Sequence, residues 1–481
     1  MWRPAASARC AASITSITMK GSTEERLETR MKTAPYGDMC FHRVFRRASI
    51  PMLIFCLFAQ TVSAQGLLRD ADLEYGLKQL AAPVLTAAGL SPSRVKILVV
   101  DDSSLNAFVI STDAIFLHYG LINRMSNAAM LQGVIAHEAA HIANGHLTRR
   151  MNNLASARTA AGFGIALAAV AAAAGGGEAG AGVLLGTQSS AINRFLRHTR
   201  AEEASADQSA VRFMRSAGIN PAGMSQVLQL FRGQELLAET RQDPYTRSHP
   251  LSRDRIRALE GYVAAYGDAP VDNSAADYWF ERVKGKLSAY TRAPKWTLRR
   301  LNESPYQDVR LLREAIAEHR QSRTKQALAA IDKAIALRPN DPFYHDQRGQ
   351  ILFETRNFSA AAAAYGRAVQ LAPNDALILS GYGRALLVED NISKARQVLE
   401  KARTIDFRDG TMLRDLSVAY AKSGQRGMAS VVTAERYALT GRLKDAAIHA
   451  KRAVDLLPEG SGPWQRAQDV LIASERAAKR R

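Results

Sequence analysis

The sequence predicts a mainly α chain in two parts, helices packed with a small β-sheet and then an α-solenoid of paired helices. Three observations carry that prediction. His137-Glu138-Ala139-Ala140-His141 lies inside the apolar run 131–147, the pattern of a buried helix with two histidines one turn apart. Two short β-patterned runs, 95–100 and 107–117, come just before it. Beyond residue 305, small residues recur every 34 positions.

Length and composition set the outer bounds. At 481 residues, 47% hydrophobic and 23% charged, the chain has ordinary globular composition and room for two or three domains. The net charge is +19, and residues 1–64 hold nine Lys/Arg against four Asp/Glu, which leaves +14 on the remainder. Such an excess suits an anionic neighbour, whether a membrane face, an acidic protein or nucleic acid. No nucleic-acid fold signature accompanies it, so nucleic acid is not an expected partner.

Residues 1–64 read as an N-terminal extension and signal peptide. Arg43, Arg46 and Arg47 form a basic region, 50–59 an apolar one, and Val62-Ser63-Ala64 a small-residue cleavage site ahead of Gln65. The apolar run is too short to span a bilayer. A chain begun at Met39 would have a leader of ordinary length. A mitochondrial transit peptide fits less well, because Glu24, Glu25, Glu28 and Asp38 are acidic. Export to the periplasm, with cleavage after Ala64, is therefore expected. Cys10, Cys40 and Cys56 all lie in this leader, and no lipidation box surrounds Cys56. Metal ligands in the mature chain are then limited to His, Asp and Glu.

Residues 70–87 carry apolar positions at helical spacing, Leu73, Leu77, Leu80 and Val84, and stop near Gly89. A strand over 95–100 and a hairpin over 107–117 follow. An extended peptide can add itself to an exposed strand edge, so this pair could hold a substrate, or be a plain structural hairpin. His118, at its end, reads as a packed or hydrogen-bonded histidine. The next helix is expected from a Ser126 cap to about Arg150.

On that helix His137 and His141 share a face and can offer two imidazoles to one ion, which zinc accepts readily. Glu138 is one step round, placed to take a proton from water without ligating the metal. A catalytic zinc needs a third protein ligand and an open position. His146, nine residues after His137, falls on roughly the opposite face of a continuous helix and is rejected. Downstream, Glu203 and Asp207 share the face of a second helix, so one carboxylate can bind metal and the other can orient an imidazole through its free N–H. Glu202 reads as part of a solvated face.

HEAAH, then Arg200-x-x-Glu203-x-x-x-Asp207, then Ser248-His249-Pro250 with Arg255-Ile256, resembles the HtpX and CAAX-prenyl-protease metallopeptidase family. With a leader and C-terminal repeats, the chain looks closest to the periplasmic, repeat-bearing members. The resemblance spans roughly 68–481. It implies a zincin-like metallopeptidase domain with His137, His141 and Glu203 as ligands of one Zn2+, Glu138 as general base and acid, and Asp207 behind them. His249 matches a histidine near the metal that can occupy the open position. Arg255 matches an arginine that stabilises the oxyanion. Asn106-Ala107-Phe108 matches the start of the family's substrate-edge segment, but Ile110-Ser111-Thr112 stands where Pro-Gly-Gly is usual.

Residues 155–186 are rich in Ala and Gly, with an apolar stretch, 165–174, too short to span a membrane. Two readings stand side by side, a small-residue helical hairpin packed on the site, or a lid that covers the cleft or touches a membrane. A last catalytic-unit helix is expected over 278–290 and a linker at Ala293-Pro294, giving a metallopeptidase domain over 65–295 and a repeat domain over 305–481.

Ala327, Ala361 and Ala395 recur at 34, as do Ala334, Ala368 and Ala402, and Pro339-Asn340-Asp341 returns as Pro373-Asn374-Asp375. These are tetratricopeptide-type helix pairs. After Asp409 the phase shifts by half a unit, with Ala446, Ala453 and Pro458, which suggests merged helices. Such arrays bind protein on a curved surface. His319, His345 and His449 are expected to be structural or solvent-facing.

The favoured reading is a periplasmic zinc endopeptidase whose repeats recruit misfolded or unassembled envelope proteins. The resemblance implies that these include outer-membrane β-barrels and their assembly machinery. The alternative is a chaperone or scaffold with a structural or latched zinc site.

Overall fold

The computed structural model describes residues 66–150, 198–238, 241–266 and 272–479. The leader, its cysteines and the 155–186 segment lie outside the described residues. The described residues belong to one compact unit. Among the described residues no helix is long and apolar enough to cross a membrane.

A four-stranded sheet forms one side of the N-terminal part. Its strands are β1 (Leu67–Leu68), β2 (Lys96–Val100), β3 (Ala107–Ser111) and β4 (Ala114–His118), in the order β1-β2-β4-β3. β2 and β4 are parallel; the other pairs are antiparallel. β3 therefore forms an edge. Its pairing with β4 slips between Val109 and Ser111, which shortens the regular edge. His118, at the end of β4, is buried with its Nδ1 2.9 Å from Ser104 Oγ, a hydrogen-bonded histidine as expected.

Helices α1 (Ala71–Ala87), α2 (Tyr119–Arg124), α3 (Ala128–Ala143), α4 (Arg200–Ser216), α5 (Ala222–Leu230), α6 (Pro244–Ser248), α7 (Arg253–Tyr266) and α8 (Ser274–Thr291) complete this part. Asp70 starts α1 by accepting from the Leu73 N–H. α3 is the central helix, buried from Met130 to Ile142 and apolar around most of its circumference, so it packs on several neighbours at once. α5 comes close to it at Gly223, where a Cβ would meet the Ala129 backbone at 2.4 Å. The cap of α3 is Asn127, whose side chain accepts from the Met130 N–H, and not Ser126. The helix ends at Ala143, well short of Arg150, because Asn144 and a left-handed Gly145 (φ 69°) break it.

After a short helix, Pro294–Arg299, ten helices run from Gln307 to Lys479. Those over 307–405 form three successive packed pairs that repeat about every 34 residues. Gly383 is where two helices close on each other: a Cβ there would meet the Leu399 side chain at 2.5 Å. The helices after Asp409 are not merged. Arg426–Leu439, Leu443–Leu456 and Gly462–Lys479 are separate, parted by left-handed Gly441 and Gly460. Arg426–Leu439 packs on helices both before and after it, and that double role accounts for the half-unit shift.

The repeats join the N-terminal part through buried charge. Arg282 on α8 lies 2.7 Å from Asp72 of α1 and 2.5 Å from Asp341, in the turn before the second repeat pair. Lys286 reaches Asp70 at 2.8 Å, and Arg69 and Lys96 both reach Asp406 at 2.8 Å. Around them Ala71 packs with Phe343, Ala368 and Ile378.

Candidate metal centre

Three separated segments build the site. α3 supplies His137, Glu138 and His141; α4 supplies Glu203 and Asp207; the end of α6 supplies His249 and α7 supplies Arg255. α4 is started by a capping box in which Thr199 Oγ1 accepts from the Glu202 N–H and the Glu202 carboxylate accepts from the Thr199 N–H. Glu202 also pairs with Arg150 at 2.9 Å, so it is a capping and pairing residue, not simply a solvated one.

The structure brings His137, His141, Glu203 and His249 together, all buried, with one donor atom of each converging. His137 Nε2 is 3.1 Å from His141 Nε2, 3.3 Å from His249 Nδ1 and 3.4 Å from a Glu203 oxygen. Glu203 Oε1 is 3.3 Å from His141 Nε2 and 3.0 Å from His249 Nδ1. Ligand-type atoms this close need a proton or a cation between them, and this donor set could hold a metal ion.

The groups behind the donors fix them. Asp207 Oδ1 lies 2.9 Å from His137 Nδ1, the arrangement in which a carboxylate orients an imidazole through its free nitrogen. Arg255 is buried with Nε 2.5 Å and Nη2 2.9 Å from the two oxygens of Asp207, and Nη1 2.5 Å from Glu203. In this geometry the guanidinium clamps two carboxylates. Burial opposes the charge on Glu203, but Arg255, His249 and His137 hold its carboxyl well below the usual range. Burial also opposes charge on His137, yet Glu203 and Asp207 push it up to about 10. Burial takes His141 well below its ordinary value.

Glu138 is fully buried, and neither of its oxygens has a hydrogen-bond partner. His249 Nε2 is 3.3 Å from one of them. Burial pushes this carboxyl up, against the opposing pull of His249 and His137. Edge strand β3 starts beside the cluster, where the Ala107 carbonyl lies 3.3 Å from His249 Nε2.

Three residues here were missed or misplaced in the sequence. His146, set aside as facing away, is buried with Nδ1 2.9 Å from His141 Nδ1. The Asn144-Gly145 pair, a common helix stop, is the signal that the helix would not carry it round to the far side. His198 stacks on His141 with centroids 3.6 Å apart, and Tyr245 lies 4.6 Å from His249. No spacing in the sequence pointed to either.

A buried HExxH helix faced by a carboxylate helix defines a metallopeptidase type of centre. Residues 68–263 match the model of Peptidase family M48, and 352–422 match a tetratricopeptide repeat. Residues 68–263 are thus similar to M48 peptidases, a family that implies a metal ion, and a region similar to tetratricopeptide repeats follows. A "Putative beta-barrel assembly-enhancing protease" of Vibrio cholerae is 25% identical over 47% of this chain and 50% of its own length. "Metalloprotease LoiP" of Escherichia coli is 27% identical over 43% of this chain and 78% of its own. The chain spans about half the length of the first of these. A MamA crystal structure is also similar, at a TM-score of 0.29 and 14% identity over 36% of this chain and 92% of its own.

Proposed function

We propose that the chain is a zinc-dependent endopeptidase of the periplasm that acts on misfolded or unassembled envelope proteins. In this reading a signal peptide is removed after Ala64, residues 65–295 form the catalytic domain, and the repeats over 305–481 recruit clients, among them outer-membrane β-barrel proteins and their assembly machinery. The relatives named for β-barrel assembly support the client class, and the tetratricopeptide match supports recruitment through the repeats. The observation that carries the catalytic reading is the converging donor set. Zinc bonds of about 2.0–2.1 Å to nitrogen and oxygen give tetrahedral edges of about 3.3 Å. Neighbouring donor atoms here are 3.0–3.4 Å apart with both Glu203 oxygens taking part, and one donor of each residue lies within 4.8 Å of the others.

His137, His141 and Glu203 would hold the zinc. When bound, zinc polarises a scissile carbonyl and lowers the pKa of water toward neutrality. Glu138 takes the proton from the attacking water and returns it to the leaving amine. Its unpartnered oxygens leave it available for both transfers. Asp207 holds His137, and Arg255 holds Asp207 and Glu203, so the donors stay aligned through the reaction. β3, the edge strand among the described residues, would be the one to pair with an extended substrate.

His249 favours a second reading. With its Nδ1 among the other donors, His249 would give a bound zinc a fourth protein ligand and leave no open position, the arrangement of a latched or structural zinc. In that state the chain would act as a chaperone or scaffold, and cleavage would require His249 to withdraw.

Metal analysis of the purified chain, with chelator-sensitive cleavage of an unfolded protein, tests both readings. One zinc per chain and cleavage that is lost in Glu138→Gln support the peptidase. Zinc without cleavage, and with cleavage appearing in His249→Ala, supports the latch. No bound metal would overturn both.

A further inference from the structure

Two of the proposed ligands have their orienting partners, Asp207 on His137 and Arg255 on Glu203. We infer that His146 is the positioning residue for His141: it accepts a hydrogen bond from the Nδ1–H of His141 and fixes the tautomer that turns Nε2 to the metal. The inference rests on His141 being a metal ligand. The two Nδ1 atoms are 2.9 Å apart in a buried environment, and two ring nitrogens at that distance share one proton. A histidine that gives its Nε2 lone pair to a cation keeps its proton on Nδ1. His141 is then the donor, and His146 accepts on Nδ1 with its own proton on Nε2.

The backbone is built for this contact. On an unbroken helix, five residues turn the side chain by about 500°, which leaves His146 some 140° away from His141. The chain instead stops at Asn144, whose N–H still bonds the Ala140 carbonyl, and passes through Gly145 at φ 69°, where other residues would be strained. It turns helical again at once, the Arg149 N–H bonding the Gly145 carbonyl at 3.0 Å. The Asn144 amide is tied to Ser205 Oγ at 3.1 Å and Ser209 Oγ at 3.2 Å, both on α4. The helix that carries Glu203 therefore also fixes the turn that returns His146 to His141.

His141, His146 and His198 also lie close enough together to suggest a second metal site. Two facts oppose it. His141 would have to lose both ring protons to bridge two cations. The guanidinium of Arg150 contacts His198 Nδ1, so a second cation would sit beside fixed positive charge.

The test uses the full chain, as wild type, His141→Ala, His146→Ala and His146→Asn, the last of which keeps a carbonyl acceptor. Zinc affinity is measured by competition with a chromogenic chelator, metal stoichiometry by elemental analysis, and the His141 Nδ1–H by nitrogen-15 NMR of the zinc-loaded protein. Expected are one zinc per wild-type chain and a protected Nδ1–H. His146→Ala should weaken zinc binding about 10- to 100-fold and expose that proton. His146→Asn should recover part of the affinity, and the metal-free melting temperatures should agree across the set. Equal zinc affinity in wild type and His146→Ala would overturn the inference while leaving the metal site standing, as would two zinc ions per wild-type chain. A wild type that binds no more zinc than His141→Ala would overturn the metal site and the inference together.

Discussion

The metal centre and the seam between the two parts of the chain both bury several charges, and they do so in opposite ways. At the seam, opposite charges close on one another: Arg282 on Asp72 and Asp341, Lys286 on Asp70, Arg69 and Lys96 on Asp406. At the centre, donors converge on other donors, and Glu138 keeps two buried oxygens with no hydrogen-bond partner. Burial costs free energy in both places. The seam offsets that cost within the protein. The centre offsets part of it through Arg255, which pairs with Glu203 and Asp207, and leaves Glu138 and the converging imidazoles to a ligand, so the seam should govern stability and the centre chemistry.

The largest expected effect separates the two at once. Glu138→Gln should lower cleavage about 10³-fold or more in a steady-state peptide assay, with the melting temperature and zinc content held. A fall in stability of the same size as a seam variant's would break the contrast. Arg282→Ala takes the 2.7 Å partner from buried Asp72, leaving Lys286 at 3.6 Å, and should cost roughly 3 kcal/mol in urea unfolding, yet leave the zinc affinity of the folded fraction unchanged.

Next in size is a pH effect. Burial raises the Asp406 carboxyl, but Arg69 and Lys96 overcome this and lower it from 3.8 to about 2. A group depressed in the folded state stabilises above its unfolded value, and that contribution is lost as the pH falls from about 4 toward 2. It amounts to roughly 2 kcal/mol. Urea melts of wild type and Asp406→Asn across this window should converge as the acid limit is reached. Of similar size is Gly383→Ala in the repeats, where the added methyl meets Leu399. It should cost about 1–3 kcal/mol by thermal melt, with no change in zinc binding.

Residues four apart on a helix share a face whatever surrounds them, so His137 with His141 and Glu203 with Asp207 could be paired from spacing alone. The 34-residue recurrence was legible for the same reason, since each helix pair repeats the same local packing. Past Asp409 that logic weakened because Arg426–Leu439 packs on both sides, which the spacing recorded only as a shift of phase. The α3 stop is written as Asn144-Gly145, but the apolar run keeps its helical spacing past it, and an unbroken helix would carry His146 to the far face.

The sequence by itself determined which side chains share a helical face, where helix pairs recur, and the residue types available to a metal. Only the tertiary structure decided that 137–141, 203–207 and 249–255 meet, that Arg255 turns to carboxylates, and that His146 returns to His141. Helical phase is set by bonds within a few residues. Convergence of segments dozens of residues apart is set by the packing of α3, α4 and α7 and by the turn at Gly145, which no local spacing encodes.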